Sequence, residues 1–277
     1  MENEQNAKKR SLVKEIILEL HAGSQFPTGV KRLVYLSKVD NHEDWALIWP
    51  PKESRPDAPT TWVISLHGHG GTGDQIYTRQ DVRKHRLDAF RKEGWGILTP
   101  NLRGNAWMCP AAVEDLHSML EYLRKKFNAD RFVFFSGSMG GTGNLIYGVL
   151  HPEDVAACVS LSPVTDLPDF EQWCTQRKSY ITESIDSSYE GKPSEKRDLY
   201  QRHSAFANMD KIRFPVLITH GDADDTVPVE QSRRFAEKAK NFKFPFEYIE
   251  IPKGGHDAAL GIPIEKIIGW TRPFLKK

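Results

Sequence analysis

Ser138 stands in the stretch Phe134-Phe135-Ser136-Gly137-Ser138-Met139-Gly140-Gly141, a small-residue turn between a strand-like apolar run and a helical pattern. A turn that tight lifts the central hydroxyl above the strand ends and tolerates only small residues two positions before and after it, here Ser136 and Gly140. A serine so placed is a candidate nucleophile for acyl transfer. The N–H of the next residue, Met139, opens the helix, where backbone donors stabilise developing negative charge. The common pattern has glycine at both flanking positions, so Ser136 is a departure, conservative in size. By itself the stretch also fits any Gly-rich strand-to-helix turn.

A serine hydroxyl needs a base, and the base needs a carboxylate to orient it. Pro215 to Thr219 reads as a buried strand that runs into His220-Gly221-Asp222-Ala223-Asp224-Asp225-Thr226-Val227-Pro228, where three carboxylates compete. Asp166, after the preceding strand, is a further candidate acid. Phe246 to Ile251 reads as a strand followed by Gly254-Gly255-His256-Asp257, and the paired glycines let this loop carry His256 over Ser138. His117, His151 and His203 lack such surroundings and read as surface or structural residues. An early apolar run ends in Leu66-His67-Gly68-His69-Gly70-Gly71-Thr72-Gly73, a loop able to supply a second oxyanion donor through the backbone N–H of His69. His67 and His69 could share a face as zinc ligands, but zinc takes three or four and nothing nearby completes the set. A phosphate-cradling loop would end in Gly-Lys-Ser/Thr, which is not the case here. The chemistry is therefore expected to need no metal and no cofactor.

The elements that must position these groups alternate along the chain. Lys31 to Lys38 and Trp45 to Trp49 read as a leading antiparallel pair. Trp62 to Leu66, Gly96 to Thr99, Phe132 to Phe135, Ala156 to Leu161, Pro215 to Thr219 and Phe246 to Ile251 read as strands. Between them lie helical patterns, among them one that starts after Pro110 and another at Glu230 to Ala239. Continuous apolar strands separated by helices predict an α/β fold with a mostly parallel sheet covered on both faces, and ligands at the carboxyl ends of the strands. Leu12, Val13, Ile16, Ile17 and Leu20 recur at helical spacing and predict an amphipathic helix within a lead-in over residues 1–29. Residues 166–210 break the alternation, are rich in charge and aromatics, and are too long for a connector. They predict a cap-like insertion over the active site, or a helical surface excursion without substrate contact. Trp107 and Met108 in the loop after the strand at Gly96, with Trp173 from the insertion, are the candidate lining of a substrate pocket. For each tryptophan ordinary core packing is the competing reading, and for any single one the favoured reading.

Composition limits the alternatives. The chain has 277 residues and is 39% hydrophobic, enough for one large α/β domain. Lys and Arg number 38 against 37 Asp and Glu, so no charge excess points to nucleic acid or to a basic partner. Three cysteines, Cys109, Cys158 and Cys174, are an odd count without Cys-x-x-Cys spacing, which argues against a disulfide framework. The longest apolar run near the N-terminus is Ile16-Ile17-Leu18, shorter than a signal peptide or a membrane span requires. These features place the chain in the cytoplasm as an expectation. They leave its oligomeric state open.

Taken in order, the motifs resemble the α/β-hydrolase superfamily, and more narrowly the catalytic domain of the prolyl oligopeptidase group and its short esterase relatives of feruloyl or acetyl esterase type. The resemblance runs from about Val63 to His256. It is carried by L-H-G-H-G-G, by Asn128-Ala129-Asp130-Arg131 before the turn, by S-G-S-M-G-G, and by F-P-V-L-I-T-H-G-D-A-D-D-T-V-P-V-E-Q-S-R-R-F. It implies a Ser138–His256–Asp224 triad, because the recurring form of the acid loop is H-G-x-x-D-x-x-V-P, with Asp222 and Asp225 left as turn or capping residues. It also implies an oxyanion hole from the N–H groups of Met139 and His69. Oligopeptidases carry a large propeller domain for which this length leaves no room, so a small-molecule ester is the expected substrate, with short peptides as the alternative. A catalytically silent binding protein on the same fold is the reading from another class.

Overall fold

The computed structural model describes residues 13–17, 26–52 and 58–276. Among them nine strands form one sheet in the order β1-β2-β3-β5-β4-β6-β7-β8-β9. They are β1 (Val13–Ile17), β2 (Lys31–Leu36), β3 (Glu43–Trp49), β4 (Thr60–Ile64), β5 (Gly96–Pro100), β6 (Ala129–Gly137), β7 (Val155–Leu161), β8 (Val216–Gly221) and β9 (Phe246–Ile251). β1, β2, β3 and β5 pair antiparallel in turn, and every pairing from β5 through β4 to β9 is parallel. The helices are α1 (Gln75–Thr78), α2 (Gln80–Lys92), α3 (Pro110–Phe127), α4 (Met139–Leu150), α5 (Leu167–Gln176), α6 (Ile181–Ser188), α7 (Arg197–Arg202), α8 (Glu230–Ala239) and α9 (Ile264–Thr271). None of these helices is long and apolar enough to cross a membrane.

Side chains alternate between two cores, as the two-residue period of a strand requires. Trp62, Ile64, Phe132, Phe134, Cys158, Val216 and Ile218 face α3, α4 and α8. Val63, Val133, Phe135, Val159 and Leu217 face α1, α2 and α9. The chain leaves β4 toward β5 on one side and returns to β6 on the other. A crevice therefore opens at the carboxyl ends of β4 and β6, where such sheets bind ligands. α4 starts in that crevice, and every residue from Met139 to Val149 is buried. Its all-round small and apolar sequence suits a helix packed on every side.

The expected helix near the N-terminus is corrected. Val13–Ile17 is a strand in antiparallel register with β2, Val13 opposite Tyr35 and Ile17 opposite Lys31. Short apolar runs fit both periods, and here β-branched Val13, Ile16 and Ile17 pair with the sheet edge instead of coiling. Leu12 and Leu20 lie outside the described residues. The insertion is helical, consisting of α5, α6 and α7, and it packs through Phe170, Cys174, Ile185, Tyr189 and Tyr200 into the same core as α3 and α4.

Candidate active site

β6 ends at Gly137 and α4 begins at Met139, so Ser138 alone makes the turn, at φ 55° and ψ −129°. A non-glycine residue held there carries strain of about 1–3 kcal/mol, which the surrounding packing has to offset. The flanking positions show why they must be small. A methyl group on Gly140 would collide with the backbone carbonyl of Leu66, at the end of the early loop. Ser136 is buried and its hydroxyl accepts the Leu66 N–H at 2.9 Å while donating to Asn144 Oδ1 at 3.0 Å. The departure from glycine therefore has a job: it ties the strand before the serine to the strand that carries the His69 loop.

The structure brings Ser138, His256 and Asp224 together. His256 Nε2 lies 2.9 Å from Ser138 Oγ, and His256 Nδ1 lies 2.7 Å from Asp224 Oδ2. The two loops that carry the imidazole and the carboxylate are stitched to each other. Ala223 N–H donates to Gly254 O at 2.9 Å, Asp222 N–H donates to Ile251 O at 3.1 Å, and a side chain on Gly221 would strike the Gly254 carbonyl. Ser162 Oγ–H donates to His256 O at 3.0 Å and fixes the histidine backbone.

The Asp224 side chain is fully buried. Oδ1 accepts the N–H groups of Thr226 and Val227, both at 2.9 Å, and Oδ2 faces His256 and also His220 Nε2 at 3.1 Å. Burial pushes its pKa up, but hydrogen bonds from His220 and His256, the charge of His256 and the Val227 N–H outweigh that and hold it below the usual carboxylate range. His220 was not singled out as a partner in the sequence, although it opens the same motif. Its Nδ1 meets Ser232 Oγ at 2.7 Å, which sets the ring against Asp224. The competing acids lie elsewhere. Asp222 accepts the Lys253 N–H, Asp225 meets Thr226, and Asp166 faces Ser204 and Arg234.

In the early loop Gly68 N–H donates to Gln75 Oε1, Gly70 N–H to Asn105 Oδ1 and Gly71 N–H to Gly68 O. Among the described residues no protein acceptor takes the N–H of His69 or of Met139. That leaves both N–H groups available to a ligand. The imidazole of His69 is held apart from them. Its Nε2 lies 3.0 Å from Ser184 Oγ, which also accepts Trp107 Nε1–H at 3.0 Å and gives its own proton to Ile181 O at 2.9 Å. Ser184 can therefore only accept from His69, which puts the ring proton on Nε2. Burial, with the neighbouring His67, lowers the His69 pKa. The nitrogens of His67 face the carbonyls of Gly68 and Asn101, so the two rings do not converge on a common point.

A cavity of about 220 Å³ opens on Ser138 and His256. Its remaining walls are not the expected ones. Trp107 and Met108 are only 2% and 3% exposed and border a small pocket of about 20 Å³ beside Met139 and Gly143. Trp173 stacks on Phe170 at 5.7 Å beneath the Arg177 guanidinium, and Phe170 in turn meets Trp107 at 5.8 Å. These rings are used up in docking the insertion, so none of the three borders the catalytic cavity. The insertion touches the site through Ser184 and through Tyr180, whose ring lies 5.5 Å from that of His69. The cavity is instead bounded by Gln75, Ile76, Arg79, Arg86 and Leu260. Sequence reasoning missed this flank. Arg86 lies on α2, while Arg79 is the extended residue that joins α1 to α2, so no helical spacing links the two.

A family model described as BD-FAE matches residues 47–239, and the chain belongs to that family. The fold is the α/β-hydrolase fold of serine hydrolases. The uncharacterized peptidase YtmA of Bacillus subtilis is 26% identical over 174 residues, which cover 60% of this chain and 66% of YtmA. The fluorophosphonate-binding serine hydrolase FphF of Staphylococcus aureus aligns over 87% of this chain and 97% of its own, with TM-score 0.68 and 16% identity. A puromycin-hydrolyzing peptidase of Mycobacterium tuberculosis aligns over 86% of this chain but 38% of its own, with TM-score 0.68 and 22% identity.

Proposed function

We propose that the protein hydrolyses carboxylic esters through an acyl-enzyme on Ser138. The observation that carries this reading is the unbroken relay from buried Asp224 through His256 to Ser138 at the wall of a cavity. His256 Nε2 takes the Ser138 proton as Oγ bonds to the ester carbonyl carbon. Asp224 keeps the imidazole proton on Nδ1 and stabilises the cation that forms. The N–H groups of Met139 and His69 hold the oxyanion, each donor being worth about 3–4 kcal/mol in sites of this kind. Collapse breaks the carbonyl–alkoxy bond, and His256 gives its proton to the leaving alcohol. A water then attacks the acyl-enzyme and loses a proton to His256; the acyl–Oγ bond breaks, His256 returns that proton to Ser138 Oγ, and the acid leaves.

Membership of a feruloyl esterase-like family supports ester over amide. A peptidase reading draws on the names of YtmA and the mycobacterial peptidase. A panel of aryl, acetyl-sugar and short acyl esters against aminoacyl and dipeptidyl amides separates the two. Ester turnover with kcat/KM at least 100-fold above any amide is expected. Amides hydrolysed as well as esters would overturn the ester reading. A folded protein that cleaves neither and fails to react with a fluorophosphonate would be a silent binding protein.

A further inference from the structure

Arg79 and Arg86 both border the cavity that holds Ser138 and His256, and they differ in one respect. Arg79 is neutralised, its guanidinium paired with Asp81 and, at 3.1 Å, with Asp257. Arg86 has no hydrogen-bond or ion-pair partner among the described residues. Its guanidinium lies 4.8 Å from the centre of the Phe135 ring, and Asp81 and Asp257 act on it only at longer range. Burial, with the positive charge of Arg79 beside it, pushes its pKa down to about 10, so it stays charged at neutral pH in surroundings that disfavour charge. Arg86 and Leu260 also border a second cavity of about 310 Å³, lined further by His85, Gly261, Pro263, Glu265 and Asp81, the last already paired with Arg79. Arg86 thus stands at the partition between the catalytic cavity and an outer pocket. A guanidinium offers a planar fork of donors that matches a carboxylate.

Resting on the ester-hydrolase reading, we propose that Arg86 is the anchor of an anion subsite, and that the preferred substrates carry a carboxylate on the part of the molecule lying between Ser138 and the outer pocket. The ring of Phe135 holds one face of the guanidinium, while the substrate carboxylate supplies the partner that the protein does not. Arg79, already paired, keeps α1 and α2 fastened to the loop of His256 through Asp257.

The test compares three chromogenic esters of similar length on the full chain: mono-4-nitrophenyl adipate, 4-nitrophenyl hexanoate, and a 4-nitrophenyl ester ending in trimethylammonium. For the wild-type protein the kcat/KM order is expected to be anionic, neutral, cationic, with the anionic ester favoured about tenfold or more over the neutral one. In Arg86→Met the ratio of anionic to neutral ester should fall about 10- to 100-fold, mainly through KM, and Arg86→Lys should recover part of it. A ratio unchanged in Arg86→Met, or a wild-type preference for the cationic ester, would overturn the proposal. The wild-type order of esters tests it even should the variants fail to fold. A second readout does not need turnover. Adipate should slow fluorophosphonate labelling of Ser138 in wild type and lose that protection in Arg86→Met. Labelling without ester turnover would defeat the ester reading and leave the subsite to be judged by adipate protection. Protection by inorganic phosphate but not by adipate would replace the carboxylate with a phosphoryl group and refute the substrate class named here.

Discussion

Replacing Asp224 by asparagine alters one atom in a fully enclosed network, and the consequences can be worked through bond by bond. The retained amide oxygen can still accept the Thr226 and Val227 N–H groups. The new NH₂ then takes the place of Oδ2 and points donors at His256 Nδ1 and His220 Nε2. His220 can go on donating its Nε2–H to Val227 O at 3.0 Å, so that side tolerates the change. His256 cannot. To accept from the amide, Nδ1 must lose its proton, which moves to Nε2, the nitrogen that faces Ser138 Oγ at 2.9 Å. A protonated Nε2 cannot act as base. The kcat for a small activated ester should fall by about 10³- to 10⁴-fold, or about 4–5.5 kcal/mol in the barrier. Stability should fall by only about 1–3 kcal/mol, the typical cost of a mismatched buried hydrogen bond. Stopped-flow hydrolysis of 4-nitrophenyl acetate, with urea denaturation alongside, measures both. Asp222→Asn, Asp225→Asn and Asp166→Asn serve as controls and should keep kcat within about threefold, because none of them touches His256. A folded Asp224→Asn protein with more than a tenth of wild-type kcat would refute the assignment of the acid, and the same loss in Asp166→Asn would move it.

Two other perturbations probe the scaffold. Ser136→Ala should destabilise the fold by about 1–3 kcal/mol, since it strands the Leu66 N–H and the Asn144 carbonyl; an urea midpoint equal to wild type would show that this bridge carries no weight. His203 is buried against Tyr189 and the Met108 carbonyl, and burial lowers its pKa to about 4, so the folded state stays neutral where the unfolded chain takes up a proton. Its contribution is complete above pH 6.5 and is lost as pH falls toward 4, amounting to about 3 kcal/mol. His203→Gln should flatten stability over that window, and an unchanged slope from pH 6.5 to 4 would contradict the burial argument.

The sheet and the candidate catalytic groups that it brings together were legible because both leave local marks. Buried strands are apolar runs, and Ser138, Asp224 and His256 each follow one at its carboxyl end in a Gly-rich or Asp-rich loop. α8 and β9 match their expected spans, Glu230 to Ala239 and Phe246 to Ile251. Three things were not legible. The strand at Val13–Ile17 is set by a neighbour, β2, and five residues cannot choose between helical and extended spacing on their own. The roles of Trp107, Met108 and Trp173 depend on which aromatic faces the insertion buries, a question of tertiary packing to which residue type gives no answer. The Arg79 and Arg86 wall depends on how α2 is rotated against β6, and a charged helix such as Gln80–Lys92 looks like a solvated one until that rotation is known.

Trapping the covalent intermediate tests the account most directly. The protein is mixed with an activated ester, quenched with acid in the pre-steady state, digested and mapped by mass spectrometry. A single acyl adduct on the peptide bearing Ser138 is expected, formed in a burst stoichiometric with enzyme and missing in Ser138→Ala. An adduct on another residue, or ester turnover persisting at the wild-type rate in Ser138→Ala, would contradict the assignment of Ser138 as nucleophile.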